Sequence, residues 1–184
     1  MGSDVVVEES SLSPSRPDSG FSVSPMMVTA GLTATGIAGR IGLQHIPSVE
    51  PLIAVAVASG FYFGTKEGFM AGASGYYLSN FMVYGGQGPW TVFQVVGAGL
   101  AGLSGALLGK YFDNKIAFFT SILVGVTAFE ILVNLGSLGF SFSTGGLTYL
   151  LGALPFTFTH FASTIGFGLM LYGSREKIGF YRED

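Results

Sequence analysis

The sequence predicts an all-α integral membrane protein with six transmembrane helices and both termini in the cytoplasm. Composition is the first indication: 49% of the residues are hydrophobic and 10% are charged, whereas soluble domains carry about 25% charged residues. The second is an uncharged run over residues 68–109, which is long enough for two bilayer crossings of about 20 residues each. The third is the distribution of basic residues, which fall almost entirely on one predicted side of the membrane.

The two ends of the chain differ in composition from its middle. The first residues are acidic and rich in serine and proline, without the basic start and apolar core of a secretory signal. We therefore expect a disordered tail at 1–22, a membrane domain at 23–173 and a second cytoplasmic tail at 174–184. The chain has no cysteine and no basic run, which argues against disulfides and against nucleic acid as a partner.

The first predicted segment, residues 25–41, carries a stripe of small side chains. Ala30, Ala34 and Ala38 recur every four residues and therefore share one helical face. A smooth face of small residues lets another helix approach closely in lipid. Two interpretations remain open: the face packs inside this protein, or it docks on a different membrane subunit.

Five more apolar segments follow, each separated from the next by a polar or glycine-rich turn. They are predicted at residues 52–64, 68–83, 90–108, 116–135 and 147–171. Lys66 and Glu67 are expected in the turn after the second segment, and residues 136–146 are expected to form a loop. Pro155 is expected to kink the sixth segment.

The basic residues set the predicted orientation. Seven of the eight lysines and arginines lie on the side of the termini if there are six spans, and Arg40 alone lies on the other side. Cytoplasmic loops are enriched in basic residues, so both termini are expected in the cytoplasm. The loops at 44–51, 85–90 and 136–146 then face outward, where together they could cover one pocket.

The segment 85–94 is the most distinctive of these outward stretches. Its glycines favour a tight turn, and Pro89 suits the first turn of the helix that follows. Trp90 is the only tryptophan of the chain, and its amphipathic ring suits the membrane–water boundary. Gln94 lies one turn further in. With Gln87, these residues predict one wall of a ligand pocket.

A few polar residues lie inside or at the ends of the predicted spans. Glu130 is the only acidic residue within a span, and Asn134 follows it on the same helical face. Asn80 and Gln94 flank the hairpin, so all four are expected to form an outward-facing polar cluster. Intramembrane acids usually face a cavity or a partner; Glu130 either contacts a ligand or pairs with Arg40.

His160 lies near the middle of the sixth segment. No second histidine or carboxylate stands at helical spacing from it, so no metal site is expected. Its predicted depth differs from that of Glu130, which argues against an acid–base pair. The chain also lacks a nucleophile–base pattern and a phosphate-binding loop. We expect neither an enzyme nor a bound cofactor.

Four motifs occur in order over residues 26–172. They are Ala30-x-x-x-Ala34-x-x-x-Ala38; Gly39-Arg40 followed by Ile46-Pro47-Ser48-Val49-Glu50-Pro51; Gly64-x-x-x-Gly68-Phe69-x-x-Gly72 with Ser79-Asn80-Phe81; and Gly86-Gln87-Gly88-Pro89-Trp90-Thr91-x-x-Gln94 before Gly97-x-Gly99-x-x-Gly102. Together they resemble the substrate-binding S components of energy-coupling factor (ECF) transporters. The fourth motif is similar to the branch that takes up cobalamin.

The resemblance implies a multi-pass protein of the cell membrane that captures a vitamin or related micronutrient, cobalamin-like by the fourth motif. The alanine face would dock on a transmembrane T component that carries two ATP-binding subunits. The expected substrate-binding residues are Asn80, Gln87, Trp90, Gln94, Glu130, Asn134 and His160. A small membrane scaffold or regulatory subunit without a ligand is the alternative.

Overall fold

The computed structural model describes residues 24–141 and 146–178, and these residues form helices and turns without any strand. The helices are α1 (Pro25–Leu43), α2 (Leu52–Phe63), α3 (Thr65–Ser79), α4 (Trp90–Tyr111), α5 (Lys115–Ser141), α6 (Gly146–Gly173) and α7 (Arg175–Ile178). The predicted all-α class is confirmed for this part of the chain. The predicted tail at 1–22 lies outside the described residues, and the short α7 lies within the predicted tail at 174–184.

Four helices are long and apolar enough to cross a membrane. These are α1, α4, the Lys115–Gly139 part of α5 and the Thr148–Gly173 part of α6. In contrast, α2 has 12 residues and α3 has 15. At about 1.5 Å per residue, either helix is shorter than the roughly 30 Å of a bilayer's hydrocarbon core. The membrane-protein class therefore rests on four helices, fewer than the six predicted spans.

The short helix α2 occupies the centre of the bundle. Every residue from Leu52 to Tyr62 is buried, and α2 contacts α1, α3, α4, α5 and α6. Its sequence has no polar face, so it is stable only where neighbouring helices cover it on all sides. The other helices are thereby arranged around α2.

Glycines bring α2, α3 and α4 into backbone contact. A Cβ atom at Gly60 or Gly68 would collide with the carbonyl oxygen of Gly102, and one at Gly102 would collide with the backbone of Gly68. Gly72 lies in the same way against Ala98 of α4. Small residues permit this approach and give close van der Waals packing between helices. The glycine-rich sequence of α3 and α4 is thus explained by packing.

Two predicted turns were wrong. Lys66 and Glu67 belong to the first turn of α3, and the chain reverses at Gly64, whose φ of 110° favours glycine. The predicted loop at 136–146 is also wrong in its first half, because α5 continues to Ser141. Gly136 leaves room there for the Phe93 ring of α4, so tertiary packing offsets the low helix propensity of glycine.

Replacing Gly102 with alanine tests the backbone contact. The added methyl group meets the backbone of α3, and we expect the overpacking to lower the free energy of unfolding by about 1–3 kcal/mol. Gly166→Ala in α6 is the matched control, since a Cβ there has no neighbour within 4 Å. Thermal unfolding in lipid nanodiscs measures both variants, and equal melting temperatures would contradict the contact.

Candidate functional site

A cavity of about 560 Å³ opens at one end of the helix bundle. This is the end at which α1, α3 and α5 finish and α2, α4 and α6 begin, and it carries the loops at 44–51 and 85–90, which were predicted to face outward. The polar lining residues are Arg40, Ser48, Glu50, Gln94, Glu130, Asn134, Thr148, Thr157 and His160, and the aromatic ones are Tyr76, Phe129, Tyr149 and Phe156.

The loop between α1 and α2 is held in place from α6. The hydroxyl of Ser163 accepts a hydrogen bond from the Glu50 amide at 2.9 Å and donates one to the Glu50 carbonyl at 3.2 Å. Ser48 adopts a φ of 61°, in the left-handed region that non-glycine residues use mainly in turns. These two features direct the Glu50 side chain toward the cavity.

Arg40 and Glu50 form a buried ion pair. Arg40 Nε lies 2.5 Å from Glu50 Oε2, and the two side chains are only 12% and 10% exposed. Arg40 Nη1 also donates to Asn80 Oδ1 at 2.8 Å and to the Ser79 hydroxyl. Its guanidinium carbon lies 4.4 Å from the centre of the Tyr76 ring. These contacts compensate the burial of the charge, which would otherwise be costly.

The charge state of Glu50 follows from its neighbours. Burial alone would raise the pKa of the Glu50 carboxyl, but the contacts with His160 and Arg40 outweigh burial and lower that pKa below its ordinary value. Glu50 is therefore an anion at neutral pH. It links the ion pair on α1 to the histidine on α6.

His160 lies between two carboxylates. Its Nδ1 is 2.6 Å from Glu130 Oε1, and its Nε2 faces Glu50 Oε1 at 3.3 Å without aligned hydrogen-bond geometry. The residue is only 3% exposed, and the Phe129 ring packs edge-on against it at 5.2 Å between centroids. The prediction that Glu130 and His160 lie at different depths was wrong. Because α5 continues to Ser141, Glu130 lies deeper than a helix ending near residue 135 would place it.

Glu130 is held by hydrogen bonds on both oxygens. Besides the His160 contact, its Oε2 accepts from Thr157 at 2.6 Å and from Asn134 at 3.1 Å. The predicted same-face pair of Glu130 and Asn134 is confirmed. The alternative pairing of Glu130 with Arg40 was wrong, because Arg40 pairs with Glu50.

Asn80 connects the hairpin to this network. Its amide donates to Gln94 at 2.8 Å and to the Thr91 hydroxyl at 3.1 Å, while its oxygen accepts from Arg40. Asn80 is 1% exposed and lies behind the cavity wall, whereas Gln94 lines the cavity. The four residues of the predicted polar cluster therefore form two pairs, Asn80 with Gln94 and Glu130 with Asn134, and the two pairs are linked through Arg40, Glu50 and His160.

Two predicted site residues of the hairpin stabilise the hairpin itself. The Gln87 amide donates to the Tyr77 carbonyl at 2.7 Å. Trp90 Nε1 donates to the Gly86 carbonyl at 3.3 Å, and its ring covers Gly88. Neither residue lines the cavity. Of the predicted residues, the cavity wall contains Gln94, Glu130, Asn134 and His160.

Glu50 is the main site residue that sequence reasoning missed. It lies in a loop, so a search for charges within the spans passes over it. The available signal was Arg40, the lone basic residue on the predicted outer side, whose charge needs an acidic partner once buried. Glu50 is the only acid in the loop that follows Arg40.

The carboxylates and the histidine do not form a metal centre. Across residues 24–141 and 146–178, no three histidine, cysteine, aspartate or glutamate side chains are placed to share a metal ion.

The chain has no significant match to a protein-family model, a curated protein or a solved structure. In the part of the chain that the structure describes, fold and site define an all-helical protein with four helices able to cross a membrane and a polar cavity at one end.

Removing Arg40 tests the energetic role of the ion pair. Arg40→Met leaves the Glu50 carboxylate buried without its cation, and we expect a loss of about 3–5 kcal/mol in the free energy of unfolding. Lys66→Met is the control, because Lys66 is exposed in the first turn of α3, at the end of the bundle opposite the cavity, and its charge should contribute less than about 1 kcal/mol. The double variant Arg40→Met/Glu50→Gln should recover part of the loss in denaturant unfolding. Similar stability of Arg40→Met and the wild type would contradict the assigned role.

Proposed function

We propose that the protein is the substrate-binding S subunit of an ECF-type importer. It captures a vitamin or related micronutrient from outside the cell and delivers it with a T component and two ATP-binding subunits. The observation that carries the proposal is the convergence of Arg40, Glu50, Gln94, Glu130 and His160 on one cavity. Its volume of about 560 Å³ lies within the range of small-molecule sites, about 300–1,000 Å³.

The proposed topology has six spans and cytoplasmic termini in the cell membrane. Lys66 lies in the first turn of α3, Lys110 in the last turn of α4 and Lys115 at the start of α5. These positions are at the end of the bundle opposite the cavity, and α7 adds Arg175 and Lys177 there. By the positive-inside rule this distribution supports an orientation in which the cavity opens to the outside. In this proposal the short helices α2 and α3 also count as membrane spans. Longer helices surround α2 and pack beside α3.

The surface of α1 supports docking on a partner. Ala30, Ala34 and Ala38 are exposed, whereas Thr29, Thr33 and Gly36, on another face of α1, are buried against the bundle. The alanine face is therefore not used for packing among the described residues. Of the two interpretations left open by the sequence, the structure favours a face directed at lipid or at another subunit, as docking on a T component requires.

Two other functions compete with the substrate-binding function. A scaffold without a ligand would use the alanine face but would not need a polar cavity. An intramembrane enzyme would use Glu130 and His160, which are 2.6 Å apart and thus within reach for proton transfer. However, both oxygens of Glu130 are engaged by hydrogen bonds or close contacts from Asn134, Thr157 and His160, so Glu130 is not free to act as a base on a reacting molecule. We propose a binding protein that is not an enzyme.

Equilibrium binding tests the proposed function directly. Purified protein in nanodiscs is titrated with a panel of vitamins that includes cobalamin, which the hairpin motif favours, and more compact members, which the cavity volume favours. We expect one member to bind, and Gln94→Ala to weaken that binding by roughly tenfold through the loss of one hydrogen bond. Trp90→Ala, outside the cavity, should weaken it less. Failure of the whole panel to bind would count against an S subunit and favour the scaffold.

Docking is tested separately from ligand binding. Ala34→Leu adds bulk to the exposed face of α1 and should abolish co-purification with the T component and ATP-binding subunits of the same cell. Ligand binding by the isolated chain should be unchanged, because Ala34 does not line the cavity. Ala162→Leu on the exposed side of α6 is the matched control and should leave the complex intact. Loss of the complex in both variants, or in neither, would contradict docking through α1.

A further inference from the structure

The charges around the cavity do not balance unless His160 carries a proton. Arg40 contributes one positive charge, and Glu50 and Glu130 contribute one negative charge each. All three side chains are at most 15% exposed, and an uncompensated charge at such a site in a membrane protein is costly. One further positive charge is therefore required, and it can come from the imidazole or from a ligand.

The geometry of His160 indicates which source acts before a ligand binds. Both ring nitrogens face carboxylate oxygens, at 2.6 Å from Glu130 and 3.3 Å from Glu50. A neutral imidazole has one nitrogen without hydrogen, whose lone pair would point at an anion. Only the imidazolium form presents a proton to each carboxylate. With this proton on His160, the charges of Arg40, Glu50, Glu130 and His160 sum to zero.

Hydrogen bonding around His160 is incomplete on the Glu50 side. Glu50 Oε1, His160 Nε2 and the Tyr76 hydroxyl are all buried and have no aligned hydrogen-bond partner in the described part of the chain. The three residues are 7%, 3% and 1% exposed, and all of them line the cavity. Buried polar atoms are normally paired, so this corner of the cavity is arranged to receive polar groups from a bound molecule.

We propose that the cavity takes a compact aromatic cation with N–H donors, and that its binding displaces one proton from His160. The cation's donors reach Glu50 Oε1 and the freed lone pair of His160 Nε2, while His160 Nδ1–H keeps its bond to Glu130. The aromatic body of the ligand packs among Phe129 and Phe156. This assignment rests on the proposed function, because it names the class of molecule that the S subunit would capture.

The exchange conserves charge at every step. The Nε2–H bond of the imidazolium breaks, its proton leaves to solvent through the cavity opening, and the ligand brings one positive charge in its place. The charged and titratable groups that face His160 are Glu50 from the α1–α2 loop and Glu130 from α5, with Arg40 of α1 behind Glu50 and Tyr76 of α3 beside the cavity. Because protons compete with the ligand cation, affinity should fall as the pH falls.

Three matched probes test the charge preference. Benzamidinium, benzamide and benzoate share one shape and carry a positive, a neutral and a negative head group. We expect benzamidinium to bind the full-length protein in nanodiscs about tenfold more tightly than benzamide, and benzoate not to bind, as followed by ligand-observed NMR. Benzoate binding as tight as that of benzamidinium, or no benzamidinium binding at millimolar concentration, overturns the proposal.

The displaced proton is observed on His160 itself. The chain has two histidines, so His45→Gln leaves a single ¹⁵N-labelled imidazole. Its spectrum should change from a doubly protonated ring to an Nδ1–H ring when benzamidinium binds, and should not change with benzamide. In a pH titration of the same variant, the affinity for benzamidinium should rise by about tenfold for each unit of increasing pH, as release of one proton requires. The affinity for benzamide should not change with pH. An unchanged ring spectrum on benzamidinium binding overturns proton displacement.

A variant pair links the preference to Glu50. Glu50→Gln should remove the advantage of benzamidinium over benzamide, whereas Glu67→Gln, at the opposite end of the bundle, should retain it. If Glu50→Gln does not fold, the comparison of the three probes on the wild-type protein still tests the charge preference. Cation binding with proton release but no vitamin uptake in the assembled transporter would refute the importer and leave the site chemistry standing. Vitamin uptake combined with a preference for benzoate would support the importer and refute the cation site.

Discussion

The buried chain of charges from Arg40 through Glu50 and His160 to Glu130 is the constraint on which the cavity end of the molecule depends. Each of these groups is costly to bury alone, so each requires its neighbour at a fixed distance. Together they connect α1, the α1–α2 loop, α6 and α5. Asn80 extends the connection through α3 to Gln94 on α4. The relative positions of these elements are therefore set by polar contacts at this end.

Away from the cavity, most contacts between helices are apolar, although the Ser104 hydroxyl of α4 donates to the Ser121 carbonyl of α5 at 3.0 Å. The apolar helix α2 is enclosed on every side, and glycines allow α3 and α4 to approach it through backbone contacts. Within lipid there is little hydrophobic drive between helices, so close van der Waals packing of this kind supplies the association energy. Tight helix packing and a polar cavity are compatible in one bundle, because the buried charged groups of the described residues are gathered at the cavity end.

The separation of the polar cavity from the packed helices fits a protein that binds a ligand at one end and a partner along one side. The cavity wall combines aromatic rings with a few fixed polar groups, which is the usual constitution of small-molecule sites. The exposed alanines of α1 lie on a different surface from the cavity. Ligand binding and docking can therefore be altered independently, as the proposed S-subunit function demands.

The sequence by itself determined the helical class, the position of six helices and the small-residue face of α1. Those features depend on local composition and on helical periodicity, which a sequence displays directly. It also indicated Gln94, Glu130, Asn134 and His160 as residues of interest, since polar groups in apolar spans are rare. The extent of α5 could not be read from its glycines, because the ring of Phe93 packs against Gly136 from another helix.

Only the tertiary structure decided how the charges pair. Arg40 could meet either Glu50 or Glu130, and the choice depends on helix lengths and on the Ser163 contacts that fix the Glu50 backbone. The contact between Glu130 and His160 likewise depends on the depths of these two residues in the bundle. A difference of a few residues in the length of α5 changes the predicted depth of Glu130 enough to bring it level with His160 or to separate the two. Pairings between distant residues are set by three-dimensional register, and a single sequence carries no direct signal of that register.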